Sequence, residues 1–85
     1  TKDISSEADY WKVKAGIEQN SGAYRKAFNS YKVAHQKSLE VGLSEGVYIS
    51  LKGLYESAKL AGMTSEALTN LERFKQFSDI GRNRI

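Results

Sequence analysis

A chain of 85 residues supplies material for one small hydrophobic core, not two. Its 13 basic and 10 acidic residues leave a net charge of +3, too mild a surplus to indicate a dedicated nucleic-acid binder. The lack of cysteine excludes disulfides and thiolate metal sites, and the lack of proline favours long uninterrupted helices.

The first amphipathic segment runs from about Ser6 to Asn20, with Ser6 and Asp9 resembling a helix-start box. Tyr10, Val13 and Ile17 fall at helical spacing on its apolar stripe, which Trp11 and Ala15 widen. Asn20-Ser21-Gly22 ends it, because Gly and Asn accept the left-handed conformation that terminates helices. The second segment, about Ala23 to Val41, carries Tyr24, Ala27, Phe28, Tyr31 and Ala34 on one face and is closed by Gly42. Ser44 is the expected cap of the third, whose apolar positions are Val47, Leu51, Leu54, Tyr55 and Ala58. Gly46 and Gly53 inside it cost on the order of 1 kcal/mol each against Ala. After Ala61-Gly62-Met63, Thr64 or Ser65 is expected to cap a fourth helix with the stripe Ala67, Leu68, Leu71, Phe74 and Phe77. Ser78 onward reads as a frayed end or an interrupted helix. No strand-like alternation occurs, so the class is all-α.

Two stretches look like copies of one unit. Gly22 precedes Ala27 by five positions and Gly62 precedes Ala67 by five, with Tyr31 and Leu71 following at i+4; the offset is 40 residues throughout. A fixed period in that range signals a helical repeat array.

The order helix, Gly-containing turn, helix with small contact residues resembles the tetratricopeptide repeat. The first copy matches at Trp11, Gly22, Ala27, Tyr31 and Ala34; the second at Leu51, Leu54, Tyr55, Gly62, Ala67 and Leu71. Lys14 and Glu18 depart from the pattern where Leu and an aromatic belong, Phe74 replaces a small residue, and no proline ends either unit. The period exceeds the commonest one of about 34 residues. The resemblance implies two tandem helix-turn-helix repeats (about 6–42 and 44–78, with 79–85 a tail or linker), four antiparallel helices forming a fragment of a right-handed α-solenoid. The stretch from Leu54 through Asp79 further resembles the last repeat of bacterial sensory proteins, where such an array leads into a diguanylate cyclase, histidine kinase or DNA-binding regulator. An opening Thr1 in place of Met fits a piece of such a longer protein. A closed four-helix bundle is the alternative architecture.

No catalytic constellation is visible. His35 has no second His, no Cys and no acid within reach on its own helix, and the glycines never form a phosphate-cradling loop. Neither a metal nor a cofactor is expected. No apolar run reaches bilayer-spanning length and no signal-peptide pattern opens the chain, so membrane insertion is not expected and a cytoplasmic setting is preferred over a secreted one. Two arginines in Arg82-Asn83-Arg84 are too few to argue for nucleic acid.

The expected role is holding a protein or peptide. By the resemblance, the groove would be lined by Asp9, Lys12, Gly16 and Gln19 of the first helix and Ile49, Lys52, Glu56 and Lys59 of the third, the lysines attracting carboxylates. Gly16 and Gly53 stand where a carboxylate clamp would need Asn, which argues against a clamp. Two repeats also leave apolar ends, so self-association is expected through Trp11 at one end and Phe74 and Phe77 at the other.

Overall fold

The computed structural model describes the backbone of residues 4–82 and the side chains of residues 6–78. Four α-helices make up nearly all of it: α1 (Ile4–Asn20), α2 (Tyr24–Val41), α3 (Ser44–Leu60) and α4 (Thr64–Arg82). No strand occurs among the described residues. α1 and α3 begin 40 residues apart, and so do α2 and α4. The last helix continues past Ser78 as far as Arg82, while the side chains of Arg82-Asn83-Arg84 lie outside the described residues.

Three glycines turn the chain. Gly22, Gly42 and Gly62 have φ of +89°, +71° and +77°, a region where a Cβ would be strained. The Gly22 N–H donates to the Gln19 carbonyl at 3.1 Å, and the Ala23 N–H to the Glu18 carbonyl at 2.9 Å. At Gly62 the same two bonds run to Lys59 at 3.2 Å and from Met63 to Ala58 at 2.8 Å. At Gly42 they run to Leu39 at 3.2 Å and from Leu43 to Ser38 at 3.0 Å. Each corner is thus a Schellman closure, which satisfies carbonyls that the helix end would otherwise leave unpaired. The corner recurs every 20 residues, a finer period than the one read from side chains.

The same corners fix where the next helix begins. The N–H groups of Ala27, Val47 and Ala67 donate to the carbonyls of Ala23, Leu43 and Met63. Ala23 and Leu43 therefore hold the N-cap positions of α2 and α3, with no side-chain cap bond. The expected caps are corrected accordingly: Ser44 and Thr64 are the first residues of their helices, Ser65 is the second, and Ser6 lies inside α1.

Consecutive helices run antiparallel. Glu18, late in α1, accepts from the Ser30 hydroxyl, early in α2, at 2.6 Å, while Glu7 faces Lys37 at 3.9 Å at the other end. α1 also lies against α3, but no Cα of α1 comes within 8 Å of α4 among the described residues. The four helices form a row that no α1–α4 pairing closes, 36 × 35 × 16 Å in extent.

The core is built on α3. Phe28, Val47, Leu51, Leu54, Ala58 and Ala67 are buried together, and Tyr31, Tyr55, Met63, Phe74 and Phe77 pack against them half-buried. Alanines dominate the first hairpin's buried positions (Ala8, Ala15, Ala27, Ala34), which lets the backbones of α1 and α2 approach closely. Lys14 and Glu18, departures from the repeat pattern, form an ion pair at 2.8 Å that the Ser30 hydroxyl joins. The Lys14 ammonium and, after it, the Ser30 hydroxyl hold the Glu18 carboxyl below the usual carboxylate range.

Two expected core stripes are corrected. Tyr10, Val13 and Ile17 are 59%, 61% and 65% exposed, because α1 turns Ala8, Trp11 and Ala15 toward α2 and nothing covers its opposite side. Leu68, expected beside Ala67 in the core, is exposed on the outer side of α4.

The two glycines inside α3 have a steric reason. A Cβ on Gly53 would run into the Tyr31 ring, and one on Gly46 into the Ser38 side chain. Gly16 of α1, by contrast, has nothing within 4 Å of where its Cβ would be. Gly16→Ala should therefore raise unfolding stability by roughly 0.5–1 kcal/mol, the plain propensity gain. Gly53→Ala should lower it by about 1–2 kcal/mol, because overpacking outweighs the same gain. Urea unfolding followed by circular dichroism measures both; equal stabilisation by the two substitutions would contradict the close α2–α3 approach.

Candidate functional site

Among the described residues one groove opens between α1 and α3 and another between α2 and α4, and only the first was anticipated. Asp9, Lys12, Gly16 and Gln19 recur at three-to-four spacing along one ridge of α1, and Ile49, Lys52, Glu56 and Lys59 at the same spacing along α3. Between the start of α1 and the start of α3, a cavity of about 290 Å³ is lined by Ala8, Asp9, Lys12, Leu43, Glu45 and Gly46, with Ser38 of α2. Of the anticipated residues, Asp9 and Lys12 share this cavity, whereas Ile49, Lys52, Glu56 and Lys59 lie further along α3.

The charges here are mixed. Lys12 is engaged by Asp9 at 3.2 Å, and Glu45 adds a second carboxylate, so no lysine cluster forms at this mouth. Further along, the Lys59 ammonium sits 5.8 Å from the Tyr55 ring centre, and Glu56 lies close enough to Tyr31 to help burial push its phenol upward. Gln19 and Ile49 are half-buried, and the Gln19 Oε1 is buried with no hydrogen-bond partner among the described residues. This surface mixes charged, polar and apolar groups without an excess of one sign.

The three residues expected to mediate self-association are placed differently from one another. Trp11 is half-buried, edge-on to Tyr10 at 5.4 Å, with the Lys14 ammonium 5.4 Å from its ring. Phe74 stacks on Tyr48 at 5.0 Å, and Phe74 and Phe77 both pack on this chain's own core.

The second groove lies between α2 and α4, across α3. It holds about 260 Å³ and is lined by Lys32, His35, Gln36, Glu66, Thr69, Asn70 and Arg73, with Phe28 and Leu54 at its floor. Sequence reading missed it because its halves come from helices two apart in the chain. The available signal was that polar residues recur at helical spacing on α2 (Lys32, His35, Gln36) and on α4 (Glu66, Thr69, Asn70, Arg73).

In this groove Asn70 donates to the Glu66 carbonyl of its own helix at 2.8 Å, while His35 is held by a side chain of α3. Its Nδ1 lies 3.3 Å from the Ser50 Oγ, whose own proton is given to the Gly46 carbonyl at 2.7 Å. With that hydroxyl proton committed, His35 Nδ1–H is the donor, which assigns the tautomer and leaves Nε2 unprotonated. Burial, and after it the Arg73 guanidinium, hold the His35 pKa below its ordinary value. Among the described residues no three His, Cys, Asp or Glu side chains converge as a metal site would need.

No protein-family model matches this chain, and neither the curated proteins nor the solved structures yield a match. The functional reading therefore rests on the chain's own geometry.

The His35 environment makes stability depend on pH with a definite sign. A histidine whose folded pKa is lowered takes up its proton first in the unfolded chain, so folding weakens as pH falls through the ordinary histidine pKa toward the folded one. Chemical denaturation repeated between neutral and mildly acidic pH should show that loss, and His35→Gln should remove it. An unchanged slope in the variant would place the pH dependence elsewhere.

Proposed function

We propose that this chain is a non-catalytic protein-interaction module built from two tandem hairpins of tetratricopeptide type. The observation that carries the proposal is the repetition of the corner: the flanking helices start 40 residues apart and the Gly22 and Gly62 turns share the same hydrogen bonds. A unit repeated at that period buries its apolar face against its neighbour and leaves one face of the row for a ligand. The contact pattern supports a curved row. α1 lies against α3, whereas α2 and α4 share no Cα pair within 8 Å among the described residues, so the row bends toward its α1–α3 side. That bend makes the ridges Asp9–Gln19 and Ile49–Lys59 the walls of a shallow groove. A right-handed superhelical step belongs to the same proposal, as does a place in the interaction or sensory part of a larger bacterial signalling protein. The hydroxyl beside His35, that of Ser50, is fully buried and gives its proton to the Gly46 carbonyl, and the reading assigns no chemistry to the chain.

The closed four-helix bundle is the competing architecture. It would require α1 to run beside α4, and the lack of any Cα approach within 8 Å between them among the described residues weighs against it.

The test is nuclear magnetic resonance on the labelled chain against a panel of unstructured peptides. Binders should shift the amides of α1 and α3 around Lys12, Gln19, Ile49 and Lys52. Ile49→Arg together with Lys52→Glu should weaken them by roughly tenfold or more, the loss of one apolar anchor and one exposed charge contact. Shifts confined to the outer sides of α1 and α4, or nuclear Overhauser contacts between α1 and α4 within a single monomer, would overturn the reading.

A further inference from the structure

The two uncovered outer faces of the row carry matching halves of one interface. Toward α2, α3 presents small residues: Gly46 meets Ser38, Ser50 meets His35 and Gly53 meets Tyr31. The antiparallel register continues by bringing Phe28 level with Ser57. Because α1 and α3 occupy equivalent positions 40 residues apart, the side of α1 corresponding to Ser50, Gly53 and Ser57 is Tyr10, Val13 and Ile17. These are the three residues of α1 that are 59%, 61% and 65% exposed. At the other end, the positions of α4 corresponding to Phe28, Tyr31 and His35 are Leu68, Leu71 and Lys75, of which Leu68 is 60% exposed, Lys75 exposed and Leu71 half-buried at the edge of the face.

We propose that the outer face of α1 docks the outer face of α4 from a second copy of this chain, so that copies stack head to tail with the step that already relates α2 to α3. Side-chain size argues for this occupant pair by pair. Tyr31 on Gly53 becomes Leu71 on Val13, and Phe28 on Ser57 becomes Leu68 on Ile17. Each large-and-small pair is replaced by two of intermediate size, so the helix spacing is kept with the apolar character. The polar pair His35 and Ser50 becomes Lys75 and Tyr10, an ammonium beside an aromatic ring. An isologous pairing of α1 with α1 would set Tyr10, Val13 and Ile17 against themselves and leave Leu68 uncovered. The head-to-tail contact is heterologous and generates open-ended rows. It rests on the tandem-repeat reading above.

Sedimentation velocity across micromolar to millimolar concentration tests it, using Ile17→Glu to block one face and Leu68→Glu to block the other. Both side chains are exposed, so circular dichroism should show both variants folded. The wild-type mass should rise with concentration without a limiting oligomer, and each variant alone should stay monomeric. An equimolar mixture should stop at a dimer of twice the monomer mass, because one intact α1 face and one intact α4 face remain. A strictly monomeric wild type, association that survives Leu68→Glu but not Ile17→Glu, or a mixture that stays monomeric would each overturn the proposal. A monomer in which α1 and α4 show no mutual Overhauser contacts would remove the stacking and leave the repeat reading standing. Contacts between α1 and α4 would remove both.

Discussion

A left-handed glycine after each of the first three helices sets most of what this chain becomes. At Gly22, Gly42 and Gly62 the backbone takes a positive φ, and the two N–H groups that follow each helix close back on its last turn. The closure leaves no slack. The next helix starts within two residues, antiparallel, and its first internal hydrogen bond is made to the residue just after the glycine. The helices between corners are of nearly equal length, yet the placement alternates: α1 lies against α3, while no Cα of α2 comes within 8 Å of α4 among the described residues. Among the described residues no Cα of α1 comes within 8 Å of α4, so the four helices do not close into a ring.

Within that frame, spacing is set by small residues at the seams. The face α3 shows to α2 is Gly46, Ser50, Gly53 and Ser57, all buried. The buried hydroxyls cost little because Ser50 and Ser57 donate to their own helix's carbonyls at Gly46 and Gly53, both at 2.7 Å. Serine here acts as a small, self-satisfied residue that lets large α2 side chains come close. The first hairpin uses alanine for the same end, with one charged exception: Glu18 stays ionised between helices because Lys14 and Ser30 both hydrogen-bond it. The second hairpin instead fills its seam with aromatic rings, Tyr48 on Phe74 and Tyr55 against the core.

Helix positions and the glycine corners between them were legible in the sequence, because glycine after an amphipathic run has one dominant structural use. The core of α3 was legible too, since Val47, Leu51, Leu54 and Ala58 sit in the middle of the row and are covered on every side that matters. What periodicity could not show is which stripe of an end helix has a neighbour. Tyr10, Val13 and Ile17 make a better apolar stripe than Ala8 and Ala15, yet the alanines face α2, because close backbone approach rewards small side chains. Capping was misread for a related reason: Ser44 and Thr64 lie beside helix starts that the backbone corner had already fixed. Gly46 and Gly53 looked like weak points of a helix when judged by propensity alone, and only the neighbouring Ser38 and Tyr31 reveal their use. The α2–α4 groove depends on side chains brought together across α3, a relation that no local spacing contains.

Exposed apolar side chains occur along the whole row, Leu39 on α2 and Tyr48 and Leu60 on α3 included, and those of the end helices follow from the same geometry. In a row of helices the interior members have both sides covered, so selection of small residues on one seam and large ones on the other is a question of packing alone. The terminal members differ. α1 and α4 each have one covered side, and a polar outer side would make them inert caps. This chain places Tyr10, Val13 and Ile17 on one outer side and Leu68 on the other, against the solubility interest of a lone domain. Desolvating that surface would stabilise the row without altering any internal contact, since the corners, and not the outer faces, determine how the helices are arranged. The end faces can therefore be exchanged or occupied independently of the fold. Grooves on the row's flanks and apolar faces at its ends are physically separable surfaces of one scaffold.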